Sequence, residues 1–437
     1  MIVSSAFAGK TYAVLGLARS GLATVETLVA SGARVVAWDS REEARSQVAG
    51  KAELGDPMEI DLAGFDGIVV SPGVPLNRHP IAMRAKLAGV PIIGDIELFA
   101  LARPTLPPHK VVGITGTNGK STTTALIHHI IEQAGYPTVM GGNIGLPILS
   151  QPPLEPNLKG AGVYVLELSS YQIDLTHSLD CDVAVLLNIT PDHLDRYDGF
   201  EGYAAAKARL FAMQHGKGEA VIGIGDTPSA LIARGLKRPS RQITKIAPGV
   251  CMDQSRWPSL QGPHNAQNAL AAIAACEALG VSQQAIDAGL ESFSGLPHRL
   301  ERLGTFNGVA FVNDSKATNP ASAAPALAAF DRIRWIVGGL PKDDNLDECA
   351  PNFGHVVKAY TIGDAGPTYA RQLAEHMEVD ESEMLATAVR RAVRDAQPGD
   401  TVLLSPACAS FDQFRDFEAR GECFREAVSI YAGGAHG

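Results

Sequence analysis

The chain has 437 residues, of which 46% are hydrophobic and 19% are charged, and its formal net charge is −10. This length predicts two or three domains, and the acidic balance argues against a nucleic-acid partner, which would need a basic surface. The N-terminus lacks a basic stretch followed by an apolar run, and no run of about 18 apolar residues occurs, so we expect neither a signal peptide nor a membrane span. Six scattered cysteines without a C-x-x-C pair favour reduced thiols and a cytoplasmic location.

The first region predicts strands that alternate with a glycine turn and a helix. Residues 11–16 predict a strand, a helix follows, and residues 33–39 predict a second strand that ends in Asp39. This order is typical of a dinucleotide-binding half. The spacing from Gly16 to Gly21 is G-x4-G, however, so a phosphate-bearing ligand and a plain α/β turn both stay open. Further strands are predicted at 67–75 and 90–95, and a proline-rich linker is predicted at 102–109.

Residues 110–124, KVVGITGTNGKSTTT, predict a buried parallel strand, a glycine turn and the start of a helix. Such a turn binds phosphate, because glycines let backbone N–H groups approach the oxygens and the helix dipole favours negative charge. Lys120 would reach the terminal phosphates and Ser121 would bind Mg²⁺. The strict G-x4-GK-[ST] pattern is not met, since Gly113 lies six residues before Gly119. A glycine-rich turn capped by Ser and Thr is therefore the alternative.

Polar side chains follow the apolar strands downstream of this turn. Glu167 closes one strand, where a P-loop protein holds Mg²⁺, although a solvated strand end is the alternative. His193 follows another strand in a loop rich in carboxylates, whereas a lone histidine is usually no ligand. Lys207 lies among alanines on a predicted helix, and this context favours a surface lysine. Asn265 and Asn268 lie three residues apart, so we expect them on one side of a helix. The strands are predicted at 162–170, 181–190 and 219–225, and the helices at 204–211 and 264–280.

A third α/β region follows, with polar residues at its strand ends. Asp314, Lys316 and Thr318 alternate, and they would lie on one side if the segment stays extended. They suit an anionic ligand or a phosphate, and a polar turn is the alternative. Lys342 and Ser410 follow other strands, and ligands of parallel α/β sheets bind at the carboxyl ends of strands. The strand-bearing segments are 309–320, 333–342, 356–364 and 400–410.

Together these segments resemble the Mur ligases of peptidoglycan synthesis. The resemblance covers nearly the whole chain, and VNDSKATNP together with LLSPACASFDQF is most similar to the members that add D-glutamate. The segments that carry it are, in order, TGTNGKST, LELSSYQ, NITPDHLDRY, HNAQNAL, LPHRLE and VNDSKATNP.

The resemblance implies three α/β domains and an ATP-dependent amide ligase. Residues 1–98 would be a Rossmann-like domain that binds the UDP part of the substrate. Residues 99–299 would be a central P-loop ATPase-like parallel-sheet domain that binds ATP, and residues 300–437 a C-terminal Rossmann-like domain that binds the amino acid. D-glutamate would join UDP-N-acetylmuramoyl-L-alanine through an acyl phosphate, with two Mg²⁺ ions. The protein would be a monomer without nucleic-acid or membrane partners.

The resemblance also implies roles for individual residues. Four are implied in catalysis: Lys120, Lys207, His193 and Glu167. The metal ligands would be Ser121, Glu167, His193 and Lys207, the last as a carbamate. ATP would contact Thr117, Asn118, Gly119, Lys120, Ser121, Thr122, Thr123, Asn265, Asn268, Arg299 and Asp314. The muramoyl substrate would contact Ser71, Gly73, Asn143 and Ser169, with the uracil end at Asp39 and Arg41. D-glutamate would contact Lys316, Thr318, Lys342, Ser410 and Phe417.

Two alternative functions stay open. A sister ligase would add another amino acid or extend folate with glutamate, and the DSKAT and SPACAS segments argue against it. A non-catalytic P-loop switch or regulatory ATPase would not need a UDP-binding unit or a third α/β unit.

Overall fold

The computed structural model describes residues 1–192, 196–239, 242–247, 252–257, 259–341 and 345–433. Within these residues the chain forms three α/β domains, each built around one sheet. The chain divides into two compact units, Met1–Phe293 and Ser294–Gly437. The first unit holds two of the sheets and the second unit holds the third. No helix in the described part of the chain is long and apolar enough to span a membrane.

The first sheet is parallel throughout and has the strand order β3-β2-β1-β4-β5. Its central strands are buried, which explains their continuous apolar sequence. The segment predicted at 67–75 as a strand that ends in a Pro-Gly turn forms β4 up to Val70, and the turn follows. The elements are β1 Thr11–Leu15, α1 Arg19–Ala30, β2 Arg34–Trp38, α2 Glu42–Ser46, β3 Glu53–Leu54, β4 Gly67–Val70, α3 Ile81–Ala88, β5 Ile92–Ile93 and α4 Asp95–Ala102.

The second sheet is also parallel, with the order β11-β10-β9-β6-β8-β7. The linker predicted at 102–109 is shorter than expected, because Arg103–Thr105 is a 3-10 turn and β6 already begins at His109. The elements are β6 His109–Thr115, α5 Lys120–Gln133, β7 Thr138–Gly142, β8 Gly162–Glu167, α6 Ser170–Asp174, β9 Val183–Leu186, α7 Gly199–Ala212, β10 Glu219–Gly223, α8 Thr227–Gly235, β11 Ile243–Ile246, α9 Pro263–Ala278 and α10 Gln283–Ser292.

The third sheet has the order β12-β13-β17-β14-β15-β16, and β12 is its one antiparallel strand among the described residues. The antiparallel hairpin β12–β13 was not predicted, because its charged first strand carries no apolar run. The elements are β12 Glu301–Phe306, β13 Val309–Asn313, α11 Pro320–Leu327, β14 Ile333–Gly338, β15 Val356–Ile362, α12 Gly366–Leu373, β16 Glu378–Glu383, α13 Leu385–Asp395, β17 Thr401–Leu404 and α14 Phe417–Tyr431.

Each sheet is covered by helices on its faces. In the second unit one face packs around Trp335 and Tyr369 and the other around Phe311 and Tyr360. In the first unit one apolar cluster contains residues of both sheets, and another packs on the first sheet. None of the described cysteines forms a disulfide; Cys423 is partly exposed, and the buried ones are Cys181, Cys276, Cys349 and Cys408.

Candidate nucleotide and substrate site

The glycine turn after β6 and the first turn of α5 form a loop at the carboxyl edge of the second sheet. Gly119 precedes α5 with a φ of 86°, and a Cβ there would lie 2.3 Å from Asn268 Oδ1. Gly116 has a φ of 151°, and a Cβ there would lie 3.1 Å from the Cβ of Leu187. Both positions therefore favour glycine. The helix starts at Lys120, so the predicted strand, turn and helix are confirmed.

Asn188, to which the sequence analysis gave no role, fixes this loop from the segment just after the neighbouring strand β9. Its side-chain oxygen accepts the N–H of Asn118 at 2.9 Å, and its amide nitrogen donates to the Asn118 carbonyl at 3.1 Å. The Thr117 N–H donates to the Asn188 carbonyl at 2.9 Å, and the Thr117 hydroxyl lies 3.2 Å from the Tyr203 hydroxyl. The loop is therefore held in shape by the protein itself. The asparagine stands in NITPDH, but nothing in its type or spacing indicated this contact.

Glu167 ends β8 beside the loop, and its side chain is only 2% exposed. Its Oε1 accepts a hydrogen bond from the Asn143 side chain at 3.0 Å, whereas its Oε2 is buried without a partner among the described residues. The alternative of a solvated strand-end glutamate is therefore wrong. Ser169 lies two residues further on and caps α6, in a capping box with Gln172. Its hydroxyl thus has a structural contact here, and its predicted substrate contact stays a prediction.

Lys207 projects from α7 to the same loop, and it is only 1% exposed. Its Nζ donates to the Gly116 carbonyl at 2.8 Å, and the Lys120 Nζ donates to the same carbonyl at 2.9 Å. Burial, followed by the positive charge of Lys120, lowers the pKa of Lys207 to about 7. The expectation of a surface lysine is therefore wrong, because the alanines around Lys207 let its helix pack closely enough to bury the amine.

The remaining residues predicted for ATP in this unit lie around the loop. Ser121 and Thr123 are buried in the first turn of α5, and Thr122 is partly exposed. Asn268 Nδ2 donates to Asn265 Oδ1 at 3.1 Å, which confirms that both asparagines lie on one side of α9. His193 lies outside the described residues.

Asp39 follows β2 at the carboxyl edge of the first sheet, where the uracil contact is predicted. Its carboxylate accepts the Leu17 N–H at 2.7 Å and the Arg41 N–H at 2.9 Å, and the Arg41 guanidinium lies 3.3 Å away. Burial alone would raise the pKa of Asp39, but these N–H donors and the guanidinium lower it below its usual value. Asp39 and Arg41 are therefore together, and the carboxylate fixes the glycine turn after β1.

Arg196, which the sequence analysis did not single out, connects the loop after β4, residues 71–74, to the domain of the second sheet. Its guanidinium donates to the Val74 carbonyl at 3.0 Å and lies 3.5 Å from the Gly73 carbonyl. It also stacks on the Tyr171 ring, 4.3 Å from the centroid. Ser71 begins this loop, and its hydroxyl donates to the Gly16 carbonyl at 2.9 Å. Ser71 and Gly73 are thus held close to the turn after β1 and to α6.

In the second unit Asp314 follows β13 at the carboxyl edge of the third sheet. It accepts the Leu300 N–H at 3.1 Å and the Ser405 hydroxyl at 2.8 Å. Burial raises the pKa of Asp314 to about 7, while the charges of Arg299 and Arg420 oppose the rise. Arg299 and Asp314, both predicted for ATP, are therefore near each other.

The segment after Asp314 does not stay extended as the alternation required. The Ala317 N–H bonds to the Asp314 carbonyl at 2.9 Å, so residues 314–317 form a turn. The Lys316 ammonium lies 3.6 Å from the centroid of the Phe417 ring, so these two predicted D-glutamate residues are together. Thr318 is partly exposed beyond the turn.

Arg420, which sequence analysis missed, joins the loops after β13 and β17. It is 1% exposed, and its guanidinium donates to Ser315 Oγ at 3.0 Å and to the carbonyls of Cys408 at 3.0 Å and Ala409 at 3.2 Å. Ser410, which follows Ala409 in the chain, is 2% exposed. An arginine in a charged helix carries no sequence signal for this contact. Lys342 lies outside the described residues.

A glycine turn at the edge of a parallel sheet, with a buried carboxylate and two convergent lysines, has the geometry expected of a nucleotide-binding loop. The family model for the Mur ligase middle domain matches residues 114–249, which contain this site. The model for the Mur ligase glutamate ligase domain matches residues 298–408, and the MurD-like N-terminal domain matches residues 10–94. The chain belongs to the Mur ligase family.

Curated relatives with high identity to this chain share one name within the family. A UDP-N-acetylmuramoylalanine–D-glutamate ligase of Novosphingobium aromaticivorans is 65% identical and covers 98% of this chain and 96% of its own length. Proteins of the same name from Sphingopyxis alaskensis and Zymomonas mobilis are 62% and 55% identical, each over 98% of this chain and 99% of their own lengths.

Solved structures of the family share the architecture. The UDP-N-acetylmuramate–alanine ligase MurC of Thermotoga maritima matches with a TM-score of 0.58 at 17% identity, over 96% of this chain and 99% of its own. MurF of Acinetobacter baumannii matches with a TM-score of 0.58 at 20% identity, over 97% and 93%. At these identities the likeness concerns the fold, and the three-domain α/β prediction is confirmed.

Proposed function

We propose that this chain is an ATP-dependent ligase that joins D-glutamate to UDP-N-acetylmuramoyl-L-alanine during synthesis of the peptidoglycan precursor. The observation that carries the proposal is identity of 55–65% over nearly the full length of relatives with that name. The proposal includes a cytoplasmic monomer that acts on small molecules, without nucleic-acid or membrane partners.

The chemistry requires an activated carboxylate. The terminal carboxylate oxygen of the UDP substrate attacks the γ-phosphorus of ATP, ADP leaves, and an acyl phosphate forms. The neutral amine nitrogen of D-glutamate then attacks the acyl carbon, a C–N bond forms, the nitrogen loses one proton, and phosphate leaves with the electrons of the broken C–O bond. Lys120 neutralises charge on the transferring phosphoryl group, since it extends from the phosphate loop. The loop N–H groups orient the phosphates.

The residues present fit a magnesium site. Glu167 Oε2 is a buried carboxylate oxygen without a partner among the described residues. Burying it unpaired costs free energy, and coordination of a cation would remove that cost. Glu167 and the Ser121 hydroxyl would hold one Mg²⁺, and the resemblance assigns His193 and a Lys207 carbamate to a second. When bound, the ions would supply charge neutralisation on the phosphoryl oxygens.

Carbamylation of Lys207 is supported by its surroundings. A lysine with its pKa lowered to about 7 by burial has a large neutral fraction, and the neutral amine nitrogen attacks CO₂ with loss of one proton. The product carries a negative charge, so the repulsion between Lys207 and Lys120 at the Gly116 carbonyl becomes attraction. It also supplies oxygen atoms of the kind that Mg²⁺ prefers.

The remaining assignments follow the same proposal. Residues 1–98, 99–299 and 300–437 would bind the UDP substrate, ATP and the amino acid, respectively. D-glutamate carries two carboxylates, so its pocket needs cations and strong donors. The residues that would supply this pocket are Lys316, Thr318, Lys342, Ser410 and Phe417.

A phosphate-release assay tests the proposal. Phosphate should appear only when ATP, UDP-N-acetylmuramoyl-L-alanine and D-glutamate are all present. L-glutamate, glycine, L-lysine and meso-diaminopimelate in place of D-glutamate should support less than about a hundredth of the rate, a difference of about 2.7 kcal/mol. Faster turnover with another amino acid would indicate a sister ligase, and ATP hydrolysis without both acceptors would indicate a plain ATPase.

A further inference from the structure

The second unit contains a cavity of about 560 Å³ at the carboxyl ends of β15 and β16. The wall carries four carboxylate side chains, and no lysine, arginine or histidine is among the described residues that line it. None of the residues assigned above to ATP, the UDP substrate or D-glutamate lines it. The acidic residues come from three separate segments and are Asp364, Glu381, Glu383 and Asp412.

Two arginines that contact or interact with residues of this region donate their hydrogen bonds elsewhere. Arg391 donates to the carboxylate of Asp380 and to the backbone carbonyl of Glu381. Arg420 interacts electrostatically with Asp412, but its N–H groups donate hydrogen bonds to Ser315 Oγ and to the Cys408 carbonyl. Four like charges around one space raise its affinity for a positive ligand.

A buried hydroxyl supplies an independent indication of a ligand. Thr361 lines the cavity and is 1% exposed, and its Oγ1 is buried without a hydrogen-bond partner among the described residues. Thr361 pairs with Glu381 in the β15–β16 register, so both side chains lie on the same face of the sheet. Leaving a buried hydroxyl unsatisfied costs about 1–3 kcal/mol. A ligand that donates a hydrogen bond into the cavity would remove this cost.

The rim of the cavity is fixed before any ligand binds. The Glu383 carbonyl accepts the Gly363 N–H at 2.9 Å and the Gln413 side chain at 2.8 Å. Asp412 Oδ2 accepts the Asp364 N–H at 3.1 Å. Three chain segments are thus joined by hydrogen bonds around the opening, and such preorganisation lowers the entropy lost on binding.

The kind of cation follows from the size and spread of the site. Within the described part of the chain, no three His, Cys, Asp or Glu side chains are arranged to hold a metal ion. The volume far exceeds one ion, and Met384, which is 54% exposed, offers an apolar wall for a methylene chain. We propose that this cavity binds a small aliphatic polyamine, whose ammonium groups contact Thr361 and the carboxylates of different walls.

Calorimetric titration of the full chain with spermidine, without nucleotide, tests the proposal. We expect saturable binding to one site that weakens as salt is raised. The Glu381→Gln/Glu383→Gln variant should bind at least about tenfold more weakly, and Thr361→Val should bind about three- to tenfold more weakly. Both glutamates are exposed, so the double variant should fold. N-acetylputrescine, with one ammonium group, should bind more weakly than spermidine.

The matched control removes the same charge elsewhere in this unit. Glu348 and Glu375 are exposed and lie outside the cavity, so Glu348→Gln/Glu375→Gln should bind spermidine like the unaltered chain. Equal weakening in the control would show binding to the general negative charge and would overturn the proposal. Absence of saturable binding would overturn it too, as would MgCl₂ binding that the cavity variant abolishes, since the site would then be a metal site. None of these outcomes depends on ligase activity.

Discussion

Lys120 and Lys207 donate to one backbone oxygen, the carbonyl of Gly116. Two ammonium groups so close together repel each other, and burial makes the repulsion stronger. Both lysine side chains therefore converge on the loop that is proposed to bind the phosphates of ATP. This arrangement gives the two lysines different expected roles. Lys120 extends from the start of α5 to the loop, whereas burial and the charge of Lys120 lower the pKa of Lys207 to about 7.

Replacing Lys120 with alanine should lower kcat to less than about a tenth of its original value, a loss above about 1.4 kcal/mol. The reason is the lost positive charge at the transferring phosphoryl group. The measurement is steady-state phosphate release. Lys110→Ala is the matched control, because Lys110 lies near the opposite end of β6 and donates to the Leu279 carbonyl. A Lys120 variant as active as this control would contradict the assignment.

Replacing Lys207 with alanine should lower the rate at least about a hundredfold, or about 2.7 kcal/mol. Acetate or formate added to the assay should restore part of that rate, since a free carboxylate can take the place of the carbamate. Lys207→Arg should stay inactive with and without the acid, because a guanidinium keeps its charge and cannot be carbamylated in this way. Full activity of the arginine variant would reject the carbamate.

At the residue scale the sequence predicted polar strand ends better than it predicted burial or tertiary contacts. The positions of Lys120 and Glu167 followed from local pattern, because a turn residue or a strand-end acid is visible in its own segment. Lys207 was predicted to be at the surface, because burial of its amine depends on how α7 packs. Asn188 and Arg420 gave no signal, since their partners lie on distant segments.

At the element scale α4 shows how a short helix can carry buried charge. Glu97 is 4% exposed, and its carboxylate accepts the Ser178 hydroxyl at 2.7 Å and the Ser178 N–H at 2.9 Å. These bonds connect α4 to the chain that follows α6. Asp95 starts the same helix and is also 4% exposed, and its Oδ1 accepts the adjacent Ile96 N–H at 3.0 Å. Burial accordingly raises the pKa of Asp95 to about 6.

This shift gives a pH-dependent contribution to stability. The pKa of Asp95 is higher in the folded than in the unfolded chain, so its ionisation costs stability as pH rises from about 4 to about 6 and the cost persists above that. Asp95→Asn removes the titration. The unfolding free energy of the variant minus that of the original chain should therefore increase by about 1 kcal/mol from about pH 5 to about pH 7.5.

Urea unfolding of both proteins at the two pH values measures this gain. Asp61→Asn is the control, because Asp61 is exposed on the same domain. A gain of the same size in the control, or none in Asp95→Asn, would show that the carboxyl of Asp95 is not the titrating group.

The sequence predicted the central strands of each sheet, because their apolar runs are long and bounded by glycine or polar residues. It missed β3, β7, β11, β12 and β16, which lie at sheet edges. Edge strands face solvent on one side or carry charge, so their pattern is weak. The turn at 314–317 was the alternative to an extended segment, and the sequence did not decide between the two. Alternating polar residues fit an extended segment, and only the hydrogen bond between Ala317 and Asp314 shows the turn.

At the scale of the whole molecule, the unit Ser294–Gly437 has a six-stranded sheet with an apolar cluster on each face. A fragment of residues 294–437 should therefore fold alone and unfold in one cooperative transition in urea. Trp335 is the single tryptophan in this range, is fully buried, and donates to the Ser405 carbonyl at 2.8 Å. Its fluorescence should shift to longer wavelength at the transition.

The control for this experiment is Trp335→Phe, which should lose the fluorescence change while far-ultraviolet circular dichroism still shows the transition. A gradual, non-cooperative change in both signals would mean that this unit needs the rest of the chain in order to fold.

Each of the two units contains buried cysteines whose reaction with a reagent depends on local opening of that unit. Cys181 and Cys276 lie in the first unit, Cys349 and Cys408 lie in the second, and burial raises the pKa of the Cys181 and Cys349 thiols to about 12. An alkylating reagent reacts with the thiolate, so these sulfur atoms are protected until their surroundings open. Labelling followed by peptide mass spectrometry would thus time the local unfolding of the two units separately in one unmodified protein, without any introduced probe.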